Sequence, residues 1–257
     1  MNKEEIRKIV KENLSKYLDC EIELFEESGV VFQTPNKLNE FQQNPFLEIT
    51  SIEKAVIVSA SNEIINNIKP LLTEKSRDEL FECPLIYGQS IYYIPDIKSL
   101  KIHDLLPQYK YFYLEGKDIE KLKDIKEFPN SLEFDKDGNI ATTIVFFAMK
   151  DNEIVGLAGA SNEYDNMWEI GIDVKKNYRT NGLATVLVNH LMNKILRKNI
   201  VPIYCASSTN IASQAVAHRA GLIPYWTSTY KNIFDGSSVY NELVKSIYVH
   251  YGENIDG

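Results

Sequence analysis

The 257-residue sequence predicts an α/β chain of the α+β kind, with a mixed, mostly antiparallel sheet flanked by helices and a smaller α/β region before it. Three observations favour this class. Residues 142–160 read as a β-hairpin, residues 168–174 alternate apolar and polar side chains, and two helical segments follow with a strand between them. A hairpin combined with helices that connect later strands calls for a mixed sheet.

The N-terminal part of the chain carries helix and strand patterns of its own. Apolar residues recur at helical spacing from Ile6 to Leu18, which predicts a first helix. Residues 55–59 read as a short buried strand, and residues 61–72 as a second helix that Pro70 should kink or divide.

A domain boundary is predicted near residue 108. The capping box Ser76–Glu79 starts a short helix, and the stretch 92–110 then shows two prolines and little periodicity. We therefore assign residues 1–108 to an N-terminal α/β domain of unknown role and residues 109–257 to a second domain.

The second region alternates helix and strand patterns. A stripe of apolar residues predicts a helix over 119–128, and residues 142–149 and 154–160 are the two strands of the hairpin. The other predicted elements, in chain order, are a strand at 168–174, a loop at 175–181, a helix from Gly182, a strand at 202–206, a helix at 210–220, and strands at 222–230 and 242–250.

Composition excludes several classes of protein. The 28 basic and 36 acidic side chains give a net charge of −8, which argues against a nucleic-acid partner. No apolar run approaches the ~18–20 residues that span a bilayer, and the charged N-terminus lacks a secretory signal, so we expect a cytoplasmic protein with no membrane partner. The three cysteines and four histidines show no metal-ligand spacing, so we expect no metal.

The most informative segment is a strand that runs through a polar loop into a helix, at residues 172–184. The first amides of a helix have no partner inside it, and the helix dipole adds positive charge, so such a junction binds pyrophosphate. Arg179 adds a fixed charge, and Gly182 allows a close backbone approach. The alternative is that Gly182 is a plain loop-to-helix junction, since the pattern is short.

These residues resemble the GNAT acetyltransferase superfamily, whose members carry V-x-x-x-x-R/Q-x-x-G-x-G/A at this place. The residues in register are Val174, Arg179, Gly182 and Ala184. A second family motif, N-x-x-S/A followed by a Gly–Phe-like pair, is matched one strand later by Asn210, Ser213, Gly221 and Leu222. The resemblance covers about residues 111–257. The arrangement of an extra N-terminal region before such a domain also resembles the zwittermicin-resistance-type branch.

The resemblance implies acetyl-CoA as co-substrate and a GNAT-like sheet. The strand backbone at Ile172 and Val174 would pair with the pantetheine arm, while Asn210 would bond the cofactor near its thioester, with Ser213 close by. The pyrophosphate would lie on the loop and first helical turn, formed by Arg179, Thr180, Asn181, Gly182, Leu183 and Ala184.

Catalysis requires a group that takes a proton from the amine and a group that protonates the departing thiolate. Many family members use a Tyr four residues before Gly221 as the acid, but this chain has Ala217 there. The acid is therefore another side chain, such as Tyr225, or water. Glu169, on the strand that leads into the loop, is the candidate base. The alternative for Glu169 is an exposed strand carboxylate with no role.

The predicted function is transfer of an acetyl group from acetyl-CoA to the amine of a small polar acceptor. The first 108 residues hold 12 basic and 18 acidic side chains, which would attract a cationic small-molecule amine such as a polyamine, an amino sugar or an amino-acid derivative. The alternative is that this acidic surface only aids solubility. Two alternatives stay open: a non-catalytic acyl-CoA-binding or sensing protein, and a protein or peptide N-acetyltransferase. A homodimer also stays open.

Overall fold

The computed structural model describes residues 1–36, 45–164 and 166–234. These residues form two compact units. One comprises Met1–Asn13 and Tyr92–Tyr225, and the other comprises Leu14–Ile91 and Trp226–Gly257, as far as those ranges are described. The units have other bounds than the two predicted domains, and the division at residue 108 stays a prediction.

The first unit is built on a mixed sheet. Its strands are β5 (Lys110–Glu115), β6 (Thr142–Lys150), β7 (Glu153–Tyr164), β8 (Met167–Val174) and β9 (Val201–Ser207). They lie in the order β9-β8-β7-β6-β5, and every neighbouring pair is antiparallel except β8 and β9, which are parallel. The predicted fold class, a mixed and mostly antiparallel sheet flanked by helices, is confirmed.

Two helices follow β8 and β9. The first of them, α4 (Leu183–Leu196), packs against β7 and β8, because Leu183 and Leu187 contact Gly156 of β7. The second, α5 (Ile211–Ala220), contacts α4 and β9 and ends at Gly221. Both helices and both strands of the hairpin lie where the periodicity predicts them.

The predicted helix over 119–128 is wrong. A 3₁₀-helix spans Gly116–Leu122 instead, and turns follow it. The apolar residues Ile119, Leu122, Ile125 and Phe128 recur every third position, which is the 3.0-residue repeat of a 3₁₀-helix and falls short of the 3.6 of an α-helix. Ile119, Leu122 and Phe128 are nonetheless buried together beneath β6 and β7.

The second unit holds five strands wholly or in large part. Its strands are β1 (Gly29–Gln33), β2 (Leu47–Ile52), β3 (Ala55–Ala60), most of β4 (Ile86–Pro95) and most of β10 (Leu222–Asn232), in the order β1-β3-β2-β10-β4. The strands β1 and β3 are parallel, while β2 is antiparallel to both β3 and β10.

Three α-helices and a 3₁₀-helix (Ile22–Glu26) lie in the described part of the first hundred residues. The α-helices are α1 (Lys3–Leu18), α2 (Asn62–Leu72) and α3 (Arg77–Phe81), and α3 starts at the predicted capping box of Ser76 and Glu79. Pro70 neither divides nor ends α2 at its own position, since the helix continues to Leu72. Proline is tolerated there because it costs a single hydrogen bond near the helix end.

Two further expectations concern the C-terminal segment and membranes. The predicted strand at 222–230 is β10, and the predicted strand at 242–250 lies outside the described residues. In the part of the chain that the structure describes, no helix is long and apolar enough to cross a membrane.

Candidate acetyl-CoA site

A fork between two parallel strands is the main feature of the first unit. The strands β8 and β9 pair only where Met167–Glu169 lies beside Val201–Ile203. Beyond that point β8 continues for five residues to Val174, still paired with β7 on its other side, and β9 continues to Ser207. The unpaired edge of β8 is therefore roughly 17 Å long at a rise of about 3.3 Å per residue. Its backbone can pair with an extended ligand that enters between the strands.

The loop after β8 is held against the strand that precedes it. The Nε of Arg179 donates a hydrogen bond of 2.8 Å to the backbone oxygen of Val174. Thr180 and Gly182 both adopt left-handed backbone conformations, with φ of +67° and +85°. The predicted anion-binding Arg179 thus also has a structural task, because its side chain closes the loop.

The N-terminus of α4 has free amides and open space in front of them. The Oδ1 of Asn181 accepts a hydrogen bond from the backbone N of Leu183 (3.2 Å), and its Nδ2 donates to the hydroxyl of Tyr109 (2.8 Å). The next two amides, of Ala184 and Thr185, find no acceptor within the described part of the chain. A Cβ built on Gly182 would meet no atom within 4 Å. These features suit an anion at the positive end of the helix dipole.

The second predicted motif is tied into the protein by its own hydrogen bonds. Asn210 caps α5, since its Oδ1 accepts from the backbone N of Ser213 at 3.1 Å. The Oγ of Ser213 and the hydroxyl of Tyr204 lie 2.7 Å apart and share a hydrogen bond. The structure therefore brings Asn210 and Ser213 together at the start of α5, beside the end of β9.

Tyr204 is a residue that the sequence reasoning missed. It directly follows the last paired residue of β9, and its side chain is buried. Burial raises the pKa of Tyr204 to about 12, so its hydroxyl stays protonated at neutral pH. Ser213 and Ala217 are four residues apart on one face of α5, so the Tyr204 hydroxyl lies one helical turn from Ala217. Tyr225, the acid suggested from the sequence, instead lies under the guanidinium of Arg7 at 5.3 Å.

Glu169 lies at the point where the fork begins. It is the last residue of β8 that pairs with β9, and across β7 it lies opposite Ser161. Ser161 donates its hydroxyl hydrogen to the carboxylate of Glu133. Directly opposite residues on a sheet have Cβ atoms about 5 Å apart, so Glu133 brings a second carboxylate to the neighbourhood of Glu169.

The loop of residues 126–134 crosses the sheet on the face that carries Glu169. The carboxylate of Asp173 accepts hydrogen bonds from the backbone N (2.8 Å) and Nδ2 (2.6 Å) of Asn130 and from the N (3.0 Å) and Oγ (2.9 Å) of Ser131. Gly159 and Gly171, which pair with each other, leave the space that this loop fills. A Cβ on Gly171 would lie 1.6 Å from the backbone oxygen of Asn130.

Alanine at Gly171 is therefore expected to lower the free energy of unfolding by about 3 kcal/mol, at the upper end of the usual range for overpacking, because the added methyl group meets backbone. Gly156→Ala is the matched control in β7, because its Cβ would approach only side chains, the nearest at 3.1 Å. Urea unfolding of the two variants measures the difference. Equal losses would mean that the loop is not packed on Gly171.

In the described ranges, no group of three or more His, Cys, Asp or Glu side chains could hold a metal ion.

One family model and several solved structures are similar to parts of this chain. The family model described as GNAT acetyltransferase matches residues 109–226, and no curated protein matches the chain. An acetyltransferase of the GNAT family from Novosphingobium aromaticivorans is 18% identical, with 55% of this chain and 63% of that chain covered and a TM-score of 0.42. The matched region is thus less than two thirds of that protein.

Two other solved structures are similar at the same level. A GCN5-related N-acetyltransferase-like protein from Streptococcus suis is 14% identical over 69% of this chain and 71% of that one, with a TM-score of 0.44. An aminoglycoside acetyltransferase from an uncultured soil metagenomic sample, in complex with sisomicin, is 19% identical over 44% and 87%, with a TM-score of 0.35. The likeness to a zwittermicin-resistance-type branch stays a prediction. Residues 109–226 of this chain are a GNAT acetyltransferase domain.

Proposed function

We propose that the chain transfers the acetyl group of acetyl-CoA to the amine of a small polar acceptor. The observation that carries this is the fork: β8 and β9 separate after Glu169, and the free edge of β8 leads straight to the open N-terminus of α4. An extended amide arm suits the edge, and a pyrophosphate suits the helix end. Acetyl-CoA joins those two groups and supplies the acetyl group as a thioester.

The residues that would hold the co-substrate divide into backbone and side-chain contributions. The strand at Ile172 and Val174 offers backbone pairing, although the oxygen of Val174 already accepts from Arg179. The amides of Gly182, Ala184 and Thr185 would receive the pyrophosphate. Leu183 contributes packing, because its side chain is buried. Its backbone N–H already donates a hydrogen bond to the Oδ1 of Asn181.

Glu169 is the proposed base. A protonated amine has no lone pair with which to attack, so a carboxylate at the start of the fork would take its proton. Part of the rate would come from holding the amine and the thioester together in one geometry. Glu169 is partly exposed, so part of its side chain is in contact with solvent.

Tyr204 is the proposed acid, because position 217, where a catalytic tyrosine would be expected, holds an alanine. The hydroxyl of Tyr204 holds a proton at neutral pH and shares a hydrogen bond with Ser213, in the first turn of α5, which Asn210 caps. A proton passed from Tyr204 to the departing thiolate can be replaced from solvent through the partly exposed Ser213.

A second function, acyl-CoA binding without transfer, is favoured by one observation, the alanine at position 217. The two functions differ in product, since only a transferase releases free CoA thiol when acetyl-CoA and an amine are supplied. A panel of small amines and peptide N-termini, assayed for thiol release, separates transfer to small molecules, transfer to peptides and binding alone.

Acetyl-CoA is expected to raise the melting temperature, and Gly182→Leu to abolish that shift. A hundredfold excess over the dissociation constant stabilises the fold by about 2.7 kcal/mol, and the leucine side chain would occupy the open space in front of α4. Gly138→Leu is the matched control, because Gly138 has a φ of +83° beside the +85° of Gly182 and equally open surroundings.

Both leucine variants should lose a similar amount of stability from left-handed backbone strain. Only Gly182→Leu should lose the acetyl-CoA shift in a thermal-melting measurement. An unchanged melting temperature for the wild-type protein with acetyl-CoA would remove the main support for the proposed function.

A further inference from the structure

The loop that crosses the sheet also lines an open cavity at the surface. It has a volume of about 430 Å³, within the range of small-molecule sites, and is lined by Lys126, Phe128, Pro129, Leu132, Glu133 and Phe134. Pro129 and Phe134 form an apolar base over the buried Phe128 and Leu132. Lys126 and Glu133 are exposed and place one charge of each sign at the rim.

The cavity is connected to the base proposed above. Glu133 lines the cavity and binds the hydroxyl of Ser161, which lies opposite Glu169 on the neighbouring strand. Every second residue of a strand points to the same face of the sheet. The face of β8 that the loop covers therefore carries Glu169, Gly171 and Asp173. Asp173 fixes the loop through Asn130 and Ser131, and thereby fixes the cavity relative to Glu169.

Lys126 is placed to receive an anion at this rim. Its Nζ lies 3.3 Å from the centre of the Phe134 ring, and no ion pair to Lys126 is found among the described residues. The aromatic face holds the ammonium group and leaves the N–H groups that point away from the ring available as hydrogen-bond donors. A carboxylate on a bound ligand can therefore pair with it. Glu133 carries the opposite charge on the side nearer Glu169.

We propose that the acceptor is a free amino acid with a large apolar side chain, which binds in the cavity of residues 126–134. This rests on the proposed acetyl transfer. Its side chain packs on Pro129 and Phe134, its carboxylate pairs with Lys126, and its amine lies at Glu133 and Glu169. The three groups of such an amino acid match the apolar base, the cation and the carboxylates of the site. In the transfer, Glu169 takes one proton from the ammonium group, the amine nitrogen bonds the acetyl carbon and the carbon–sulfur bond breaks. The nitrogen then loses its second proton to solvent, and the departing thiolate receives one from Tyr204 and leaves as free CoA thiol.

The test uses L-phenylalanine as the probe with three partial analogues. Phenethylamine lacks the carboxylate, L-alanine lacks the ring, and spermidine carries several cations and no carboxylate. Calorimetry measures binding of each probe to the full chain saturated with CoA, and thiol release from acetyl-CoA measures transfer. The protein variants are Lys126→Met, which removes the charge, and Lys123→Met as a matched exposed control three residues earlier.

L-Phenylalanine is expected to bind most tightly of the four. Lys126→Met should weaken it about fivefold and leave phenethylamine unchanged, whereas Lys123→Met should change neither. Equal binding of L-alanine or spermidine, or an equal effect of Lys126→Met on phenethylamine, overturns the proposal. Lys126-dependent binding without thiol release supports the cavity and contradicts the transfer. Thiol release with other amines while L-phenylalanine does not bind contradicts the cavity alone.

Discussion

Replacing Glu169 with glutamine is expected to lower kcat by about 10²-fold while acetyl-CoA still stabilises the protein, because general-base catalysis typically contributes at least that factor. Glutamine keeps the shape of the side chain but cannot take a proton. Glu169 lies at the last pairing of β8 with β9, before the free edge of β8 begins. The substitution should therefore lower the rate of acetyl transfer and leave the affinity for acetyl-CoA unchanged. Thiol release at saturating acetyl-CoA and amine gives kcat, and thermal melting gives binding.

The control for this variant is Glu120→Gln, an exposed glutamate in the 3₁₀-helix Gly116–Leu122, which should keep full activity. A pH profile adds a second readout, since the acidic limb of kcat/KM that reports the base should disappear in Glu169→Gln. Full activity of Glu169→Gln would assign the proton to water or to Glu133, and Glu133→Gln would then distinguish these two.

The strand that carries Glu169 could be predicted because its two faces differ in burial. Trp168 and Ile170 are buried, whereas Glu169 and Gly171 are only partly buried. Apolar and other residues therefore alternate along the strand with a period of two. The loop and helix after it could be predicted for a similar reason, since the apolar face of α4 is buried along its length. Patterns of this kind depend on which face of a single strand or helix is buried, and that is visible in the order of apolar and polar residues.

The fork itself could not be predicted from the sequence. It depends on where β9 stops pairing with β8, and the residues involved are more than thirty positions apart. The hydrogen bonds of Asp173 could not be predicted either. Asp173 occupies a polar position in the alternating strand, and nothing there indicates that it binds Asn130 and Ser131 some forty residues earlier. Register between distant strands and contacts between distant loops are properties of packing, and single-residue patterns do not encode them.

The predicted sites of Asn210 and Ser213 show a further limit. The motif places them near the co-substrate, and the structure shows that both also hold α5 and Tyr204 in place. A tyrosine in a short buried strand looks like an ordinary core residue in a sequence. Its hydrogen bond to Ser213 becomes visible only when β9 and α5 are packed together.

Tyr204→Phe is expected to lower kcat by about 10²-fold and to remove any preference of the protein for CoA over desulfo-CoA. The variant deletes one hydroxyl group, which is buried and hydrogen-bonded to Ser213, and so deletes the proton that the departing sulfur would receive. In the wild-type protein, the sulfur of CoA should strengthen binding by about threefold to tenfold through that hydroxyl, and in the variant CoA and desulfo-CoA should bind alike. Calorimetry with the two compounds measures this without any acceptor.

Two measurements separate a chemical role of Tyr204 from a structural one. Because burial raises the pKa from 10.0 to about 12, the stability contributed by the neutral hydroxyl is present below pH 10 and lost as pH rises to 12, so wild-type melting should fall across that range more than melting of Tyr204→Phe. Tyr230→Phe, which removes an exposed hydroxyl in the other unit, should retain both activity and the CoA preference. If Tyr204→Phe loses the alkaline transition but keeps full kcat and the CoA preference, then Tyr204 only braces α5, and the thiolate takes its proton from water.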